Sequence, residues 1–159
     1  MNGPFSEVEE ENIEFLEHEL TGKEVPYARM MRMYAEFLLA LISTKEVEQK
    51  LGMSSELTLV AQHLQTAVRS LGKEVSDELR RPLRVELISL CGRVEKKQPA
   101  LAALTRCAVC CFSDEGGWEP DREEDPTPIP RYLFLLKKFD PDMGMNFLTH
   151  AHSVLLAPC

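Results

Sequence analysis

The stretch YARMMRMYAEFLLALI, residues 27–42, decides the fold because it is the most apolar run long enough to form a buried helix. Alanine, leucine and methionine dominate it, and Pro26 stands at its start, where the missing N–H of proline costs nothing. Its apolar positions cover most of the helix circumference, and only Arg29, Arg32 and Glu36 are charged. Such a helix must be packed on more than one side, so we expect it at the centre of the protein.

An amphipathic helix is predicted before this central one. Ser6-x-x-Glu9 has the form of a capping box, and the helix that it opens runs to Leu20, with Gly22 just past its end. The opposite face of this helix is almost entirely glutamate, so the pattern indicates a helix that packs on the body by one side. The apolar face contains Phe5, Val8, Ile13, Phe15, Leu16 and Leu20.

Two further helices are predicted after the central one. Ser43-x-x-Glu46 has the form of a second capping box, for a short helix that stops at Gly52. Ser54 and its neighbour open the next helix, whose apolar residues follow helical spacing up to Gly72. Glycines therefore fall where the periodicity also predicts helix ends, and this agreement supports the helix count.

The second half of the chain continues the helical pattern with proline interruptions. Pro82 should break or restart a helix, and Pro99 resets the chain before an apolar helix over residues 100–112. Helical spacing returns over residues 132–139. Asp140, followed by a proline, then predicts the start of a last helix.

The segment SDEGGWEPDREEDPTPIP, residues 113–130, interrupts this pattern. It contains two glycines, four prolines and seven acidic residues, which predicts an acidic loop or a disordered insertion. Trp118 is the only tryptophan of the chain and lies within it. A large aromatic side chain there either packs back on the body or inserts into a partner as an anchor.

The pattern as a whole predicts an all-α fold of seven or eight helices. Neither sustained apolar alternation nor an Asn-Gly or Asp-Gly turn indicates a strand. We expect a single helical domain over residues 1–159, arranged either as a compact bundle or as a stack of helical hairpins. Helices broken by proline, as at Pro82, resemble those of HEAT and armadillo repeats, and this likeness concerns architecture only.

The charge is distributed unevenly along the chain. The net charge is -8, but residues 1–24 carry -7 and residues 113–128 carry -6, which leaves about +5 for the remainder. The acidic total argues against bulk affinity for nucleic acid, while the helical body retains enough cations for a basic surface.

Five cysteines, an odd number, favour an intracellular, reducing compartment, cytoplasmic or nuclear. The start of the sequence lacks the charged and apolar regions of a signal peptide. No stretch contains the roughly 18 to 20 apolar residues that cross a bilayer, so no membrane association is expected.

Chemical motifs are scarce. Cys107, Cys110 and Cys111 have spacing that can hold zinc, with His150 and His152 as further ligands, but the cysteines lie mid-helix and core packing is the favoured interpretation. We find no nucleophile elbow, phosphate-binding loop or metalloprotease motif. The sequence therefore predicts a protein that is not an enzyme and that has neither a metal site nor a cofactor.

The favoured function is a protein–protein interaction module, an adaptor or scaffold subunit of an intracellular complex that binds a peptide or a partner helix. The alternative is a helical nucleic-acid-binding domain whose basic surface is tuned by the acidic segments. A third possibility is self-association, in which the apolar face of the first helix completes the core of a neighbouring copy. The candidate partner-binding residues are Arg80, Arg81, Arg84, Arg93, Lys96, Lys97 and Trp118.

Overall fold

Helices form most of the chain that the computed structural model describes, which comprises residues 5–52, 54–112 and 127–156. These ranges contain eight α-helices and no strand, which confirms the all-α prediction and the predicted number of helices. Short 3-10 turns precede α5, follow α6 and precede α8. The helices are α1 (Glu7–Gly22), α2 (Tyr27–Ile42), α3 (Lys45–Leu51), α4 (Ser55–Leu71), α5 (Arg80–Val94), α6 (Pro99–Val109), α7 (Ile129–Phe139) and α8 (Gly144–Leu155).

Local sequence signals set most of the helix ends. The Ser6 hydroxyl accepts a hydrogen bond from the backbone N–H of Glu9, and the Glu9 carboxylate accepts one from the backbone N–H of Ser6, so the predicted capping box is present. Ser54 caps α4 by accepting from the N–H of Leu57 at 3.1 Å. Gly52 ends α3 with φ of 74°, a conformation that glycine adopts without steric cost.

The start of α3 differs from its prediction. Thr44, and not Ser43, is the N-cap, because the Thr44 hydroxyl accepts from the N–H of Val47. Ser43 still belongs to the last turn of α2, where its N–H bonds to the carbonyl of Leu39. Two adjacent hydroxyl residues made the motif ambiguous by one position, and the Ser43 hydroxyl instead donates to the carbonyl of Leu39 at the end of α2.

The central position of α2 is as predicted. It packs against α4 on one side and α8 on another, and it also touches α3 and α6. Tyr34 lies at the middle of this core, where its ring stacks on that of Tyr132 in α7 at 4.2 Å between centroids. The Tyr34 hydroxyl donates a hydrogen bond of 2.9 Å to the carbonyl of Tyr132, and the Phe147 ring of α8 meets Tyr34 edge-on. Three helices therefore meet at one aromatic cluster.

The arginines that interrupt α2 serve neighbouring helices. The guanidinium of Arg29 donates to the carbonyl of Val154 at 3.1 Å, in the last turn of α8. The guanidinium of Arg32 lies beside Gly72, at the end of α4. Cations are stabilising at helix C-termini because the terminal carbonyls carry partial negative charge. These two charges are thus compatible with a central helix.

The first and last helices of the described chain pack on each other. α1 contacts α8 and α7, and α2 also contacts α8. In a linear stack of repeats each unit contacts only its neighbours, so this closing contact fits the compact bundle of the two predicted arrangements. Among the helices in the described ranges, none is both long and apolar enough to cross a membrane.

Candidate partner-binding surface

Most of the predicted basic residues lie exposed on α5 or in the turn that follows it. α5 packs on α6 and α4 through Leu87, Leu90, Cys91 and Val94, which follow helical spacing along one side. Arg81, Arg84 and Arg93 lie exposed on the other sides of the helix, and Lys96 and Lys97 are exposed in the turn that follows it. Five of the six predicted cations are therefore exposed on α5 or just after it, and helical spacing places Arg84 and Arg93, nine residues apart, on opposite sides of the helix.

Arg80 does not belong to this surface, and its prediction as a binding residue needs correction. It is only 4% exposed, and its guanidinium bonds to the Asp77 carboxylate at 3.0 Å and to the Ser70 hydroxyl. Hydrogen bonds from the Lys73 ammonium and the Arg80 guanidinium hold the pKa of the Asp77 carboxyl below its usual value of 3.8. Arg80 thus fastens the start of α5 to α4.

Apolar side chains lie exposed among the arginines. Val85 is 63% exposed and Ile88 48% exposed, and Leu79 is exposed in the turn just before α5. Positions three and four apart are neighbours on a helix, so Arg81 lies beside Val85, and Arg84 beside Ile88. We call Arg81, Arg84, Val85 and Ile88 the α5 patch. Neither Val85 nor Ile88 fits the spacing of the buried residues Leu87, Leu90, Cys91 and Val94.

Two acidic residues are interleaved with the basic set. The Glu95 carboxylate pairs with Arg106 at 2.7 Å, and the exposed Glu86 carboxylate lies 3.3 Å from the imidazole of His63 without a hydrogen bond to it. By contrast, the cations of the α5 patch make no ion pair with any residue whose structure is described. The surface is therefore positive, with a small aliphatic centre.

Trp118 lies outside the described residues, as does most of the predicted loop over 113–130. The described part resumes at Thr127, and α7 already begins at Ile129, three residues before the point where helical spacing was recognised. Pro130 occupies the first turn of α7, where proline is tolerated. The last residues of the predicted loop are therefore helical.

The cysteines of α6 and of the turn after it face the interior. Cys107 and Cys111 are fully buried, and Cys110 is partly exposed. Burial raises the pKa of the Cys107 thiol to about 12, so it stays protonated at neutral pH. His152 stacks on Phe15 of α1, far along the chain from the thiols. Within residues 5–52, 54–112 and 127–156, no group of three or more His, Cys, Asp or Glu side chains is placed to hold a metal ion.

Comparison with known proteins adds no further constraint. No protein-family model, curated protein or solved structure matches this chain. The class that the fold and the surface define is an all-α bundle with a basic, partly aliphatic outer helix. Function is therefore argued from the chemistry of that surface.

Proposed function

We propose that this chain is a non-catalytic protein–protein interaction module, an adaptor or scaffold subunit of an intracellular complex, and that its α5 patch binds an acidic amphipathic segment of a partner. The observation that carries the proposal is the exposure of Val85 and Ile88 one helical turn after Arg81 and Arg84. In a HEAT- or armadillo-like stack, the partner would lie in a concave groove. In a closed bundle, it would lie along the outside of α5.

The two aliphatic residues supply affinity in this proposal. Full burial of such a side chain stabilises by about 1.5–3 kcal/mol, and Val85 and Ile88 still expose about half of their surface. Covering both contributes about 2 kcal/mol, roughly 30-fold in affinity. The arginines accelerate association and orient the partner, since charges at the rim of an interface mainly steer association.

The aliphatic centre also favours a protein partner over nucleic acid. A phosphate backbone gains little from contact with valine and isoleucine, and single-stranded nucleic acid is held by aromatic side chains that stack on bases. α5 contains no aromatic residue. The nucleic-acid alternative retains one supporting feature, the group of cations without ion pairs in the described chain.

The test compares captured proteins from a cell lysate for three tagged chains. The first is the wild type, and the second carries Arg81→Glu, Arg84→Glu and Arg93→Glu. A matched control reverses three exposed cations elsewhere through Lys45→Glu, Arg69→Glu and Lys138→Glu, which changes the net charge by the same amount. We expect a companion protein that the wild type and the control retain and that the α5 variant loses. Retention by all three chains would remove α5 from consideration.

A second variant separates the contributions of charge and burial. Val85→Ser with Ile88→Ser keeps every charge, and we expect it to weaken binding of the captured partner roughly 30-fold. Titration with duplex DNA and with RNA at low and at moderate salt tests the alternative, because phosphate contacts give a steep salt dependence. Tight binding at low salt that Val85→Ser and Ile88→Ser leave unchanged would support nucleic acid instead.

A further inference from the structure

A second surface feature, a groove, lies between α1 and α8. The Phe15 ring stacks on the imidazole of His152, with 5.8 Å between centroids and 20° between planes. Beside this pair is an open cavity of about 180 Å³ between the two helices. Its lining residues are Asn12, Phe15, Leu16, Leu148, Thr149 and His152.

The rim of this groove is apolar. Val8 is 55% exposed and Phe15 51% exposed, and they lie seven residues apart, on the same side of α1. Met145 of α8 is also exposed. Sequence analysis placed Val8 and Phe15 on the buried face of α1, but the structure buries Ile13, Leu16 and Leu20 and leaves the other two in solvent. This exposed strip is therefore a surface without a covering element in the described chain.

Three glutamates border the strip on the side away from α8. Helical spacing places Glu11 one turn from both Val8 and Phe15, with Glu7 and Glu14 in the same row. All three are exposed, and none pairs with a cation in the described ranges. We call Val8, Phe15 and these glutamates the α1 strip.

The α1 strip complements the α5 patch in both charge and character. Each consists of exposed apolar side chains on one helix, bordered by carboxylates on α1 and by guanidinium groups on α5. We propose that the α5 patch of one copy docks on the α1 strip and the adjoining groove of a second copy. A helix that lays an apolar face into a groove is a common mode of recognition, and the opposite charges would fix its orientation.

This contact would join two different surfaces, so it is heterologous and leaves one free surface of each kind at the ends of every dimer. α1 packs on α7 and α8, whereas α5 packs on α4 and α6, so both surfaces face outward from the same copy. The inference rests on the α5 patch of the proposed function. It adds that an external partner with an acidic amphipathic segment competes with self-association.

Sedimentation velocity over a concentration series tests the proposal with two charge-reversal variants. Glu11→Lys with Glu14→Lys makes both surfaces of a copy basic, and Arg81→Glu with Arg84→Glu makes both acidic. We expect the wild type to self-associate at low salt, and each variant alone to raise the dissociation constant by about tenfold or more. An equimolar mixture of the two variants should associate again, since each surface then finds its opposite.

Two outcomes would overturn the inference. One is a wild type that stays monomeric at low salt up to the highest concentration studied. The other is a mixture that stays monomeric although circular dichroism shows both variants to be folded as the wild type is. The proposed function is tested separately. If the protein is monomeric but still captures a partner through the α5 patch, only this inference is refuted. If self-association requires the α5 patch but capture of the partner does not, only the proposed function is refuted.

Discussion

Replacing Glu9 with glutamine tests whether one buried carboxylate holds α1 on the bundle. Glu9 is only 6% exposed, although sequence analysis assigned the glutamates of α1 to its outer face. Its Oε1 accepts hydrogen bonds from the Lys137 ammonium at 2.6 Å and from the Ser6 N–H at 2.8 Å. The same side chain lies against Gly144, the first residue of α8. One group thus connects the cap of α1 with α7 and α8.

The magnitude follows from the burial of the pair. Removing one partner of a fully buried ion pair costs about 3–5 kcal/mol. Lys137 keeps 17% of its side chain in contact with solvent, and glutamine still offers an oxygen to the Ser6 N–H. We therefore expect Glu9→Gln to lower the free energy of unfolding by about 2 kcal/mol, and Tm by roughly 4–8 °C for a chain of this size.

The stability that Glu9 contributes should depend on pH in a defined direction. Burial alone raises the pKa of Glu9, but the hydrogen bond and charge of Lys137, together with the Ser6 N–H, outweigh it, so the pKa lies below its usual 4.5. A carboxyl whose pKa is lowered on folding stabilises the fold above its unfolded-state pKa. That stabilisation is lost as pH falls through the folded-state value. The difference between wild type and Glu9→Gln should be complete at neutral pH and shrink below 4.5.

Urea unfolding followed by far-ultraviolet circular dichroism measures both quantities. Glu10→Gln is the matched control, because Glu10 is exposed on the same turn and has no ion pair within the described chain, so a change within about 0.5 kcal/mol is expected. Lys137→Met, alone and combined with Glu9→Gln, gives the coupling energy of the pair. Equal stability of the Glu9 and Glu10 variants, or a difference that does not change with pH, would refute the reasoning.

Three further predictions concern packing and reactivity. Gly144→Ala should destabilise by about 1–3 kcal/mol, because a Cβ at this position would lie 2.8 Å from Glu9 Cδ. Gly92 lies in open space on α5, so Gly92→Ala should stabilise by about 0.5–1 kcal/mol. Thermal unfolding of both variants compares the two effects. Tyr34→Phe removes the buried hydrogen bond to the α7 carbonyl and should cost about 1–2 kcal/mol in urea unfolding, with little change in secondary structure. The Cys107 thiol, with its pKa raised to about 12, should resist a disulfide reagent at neutral pH until the protein unfolds. Rapid modification of Cys107 in the folded state, located by mass spectrometry, would contradict its burial.

Helix ends were predictable because their causes are local. The capping box at Ser6 and Glu9, the Ser54 cap and the Gly52 stop each depend on hydrogen bonds or backbone angles within a few residues. The exception, Thr44 in place of Ser43, arose where two possible caps were adjacent. In that case either hydroxyl could have served as the cap, and the Ser43 hydroxyl bonds back to α2.

The candidate surface was predictable only in part. The charge pattern identified Arg81, Arg84 and Arg93, since charged side chains are seldom buried without a partner. It could not show that Arg80, unlike these three arginines, is buried. The Asp77 carboxylate and the Ser70 hydroxyl accept hydrogen bonds from Arg80, and the packing of α4 and α5 brings them together. The burial of Cys107 was the favoured interpretation of its sequence, and the structure supports it.

The sequence by itself determined that the chain is all-α, where most helices begin and end, and that residues 27–42 form the centre, because propensity, capping and apolar periodicity act over one or two turns. Only the tertiary structure decided which apolar residues stay exposed. Val8 and Phe15 on α1, and Val85 and Ile88 on α5, have the composition of core residues, but each helix packs by a strip narrower than its apolar face. The same packing drew Glu9 and Arg80 inside, where partners on other elements compensate for lost hydration. Burial depends on what lies opposite a side chain, and residues distant in sequence supply those neighbours.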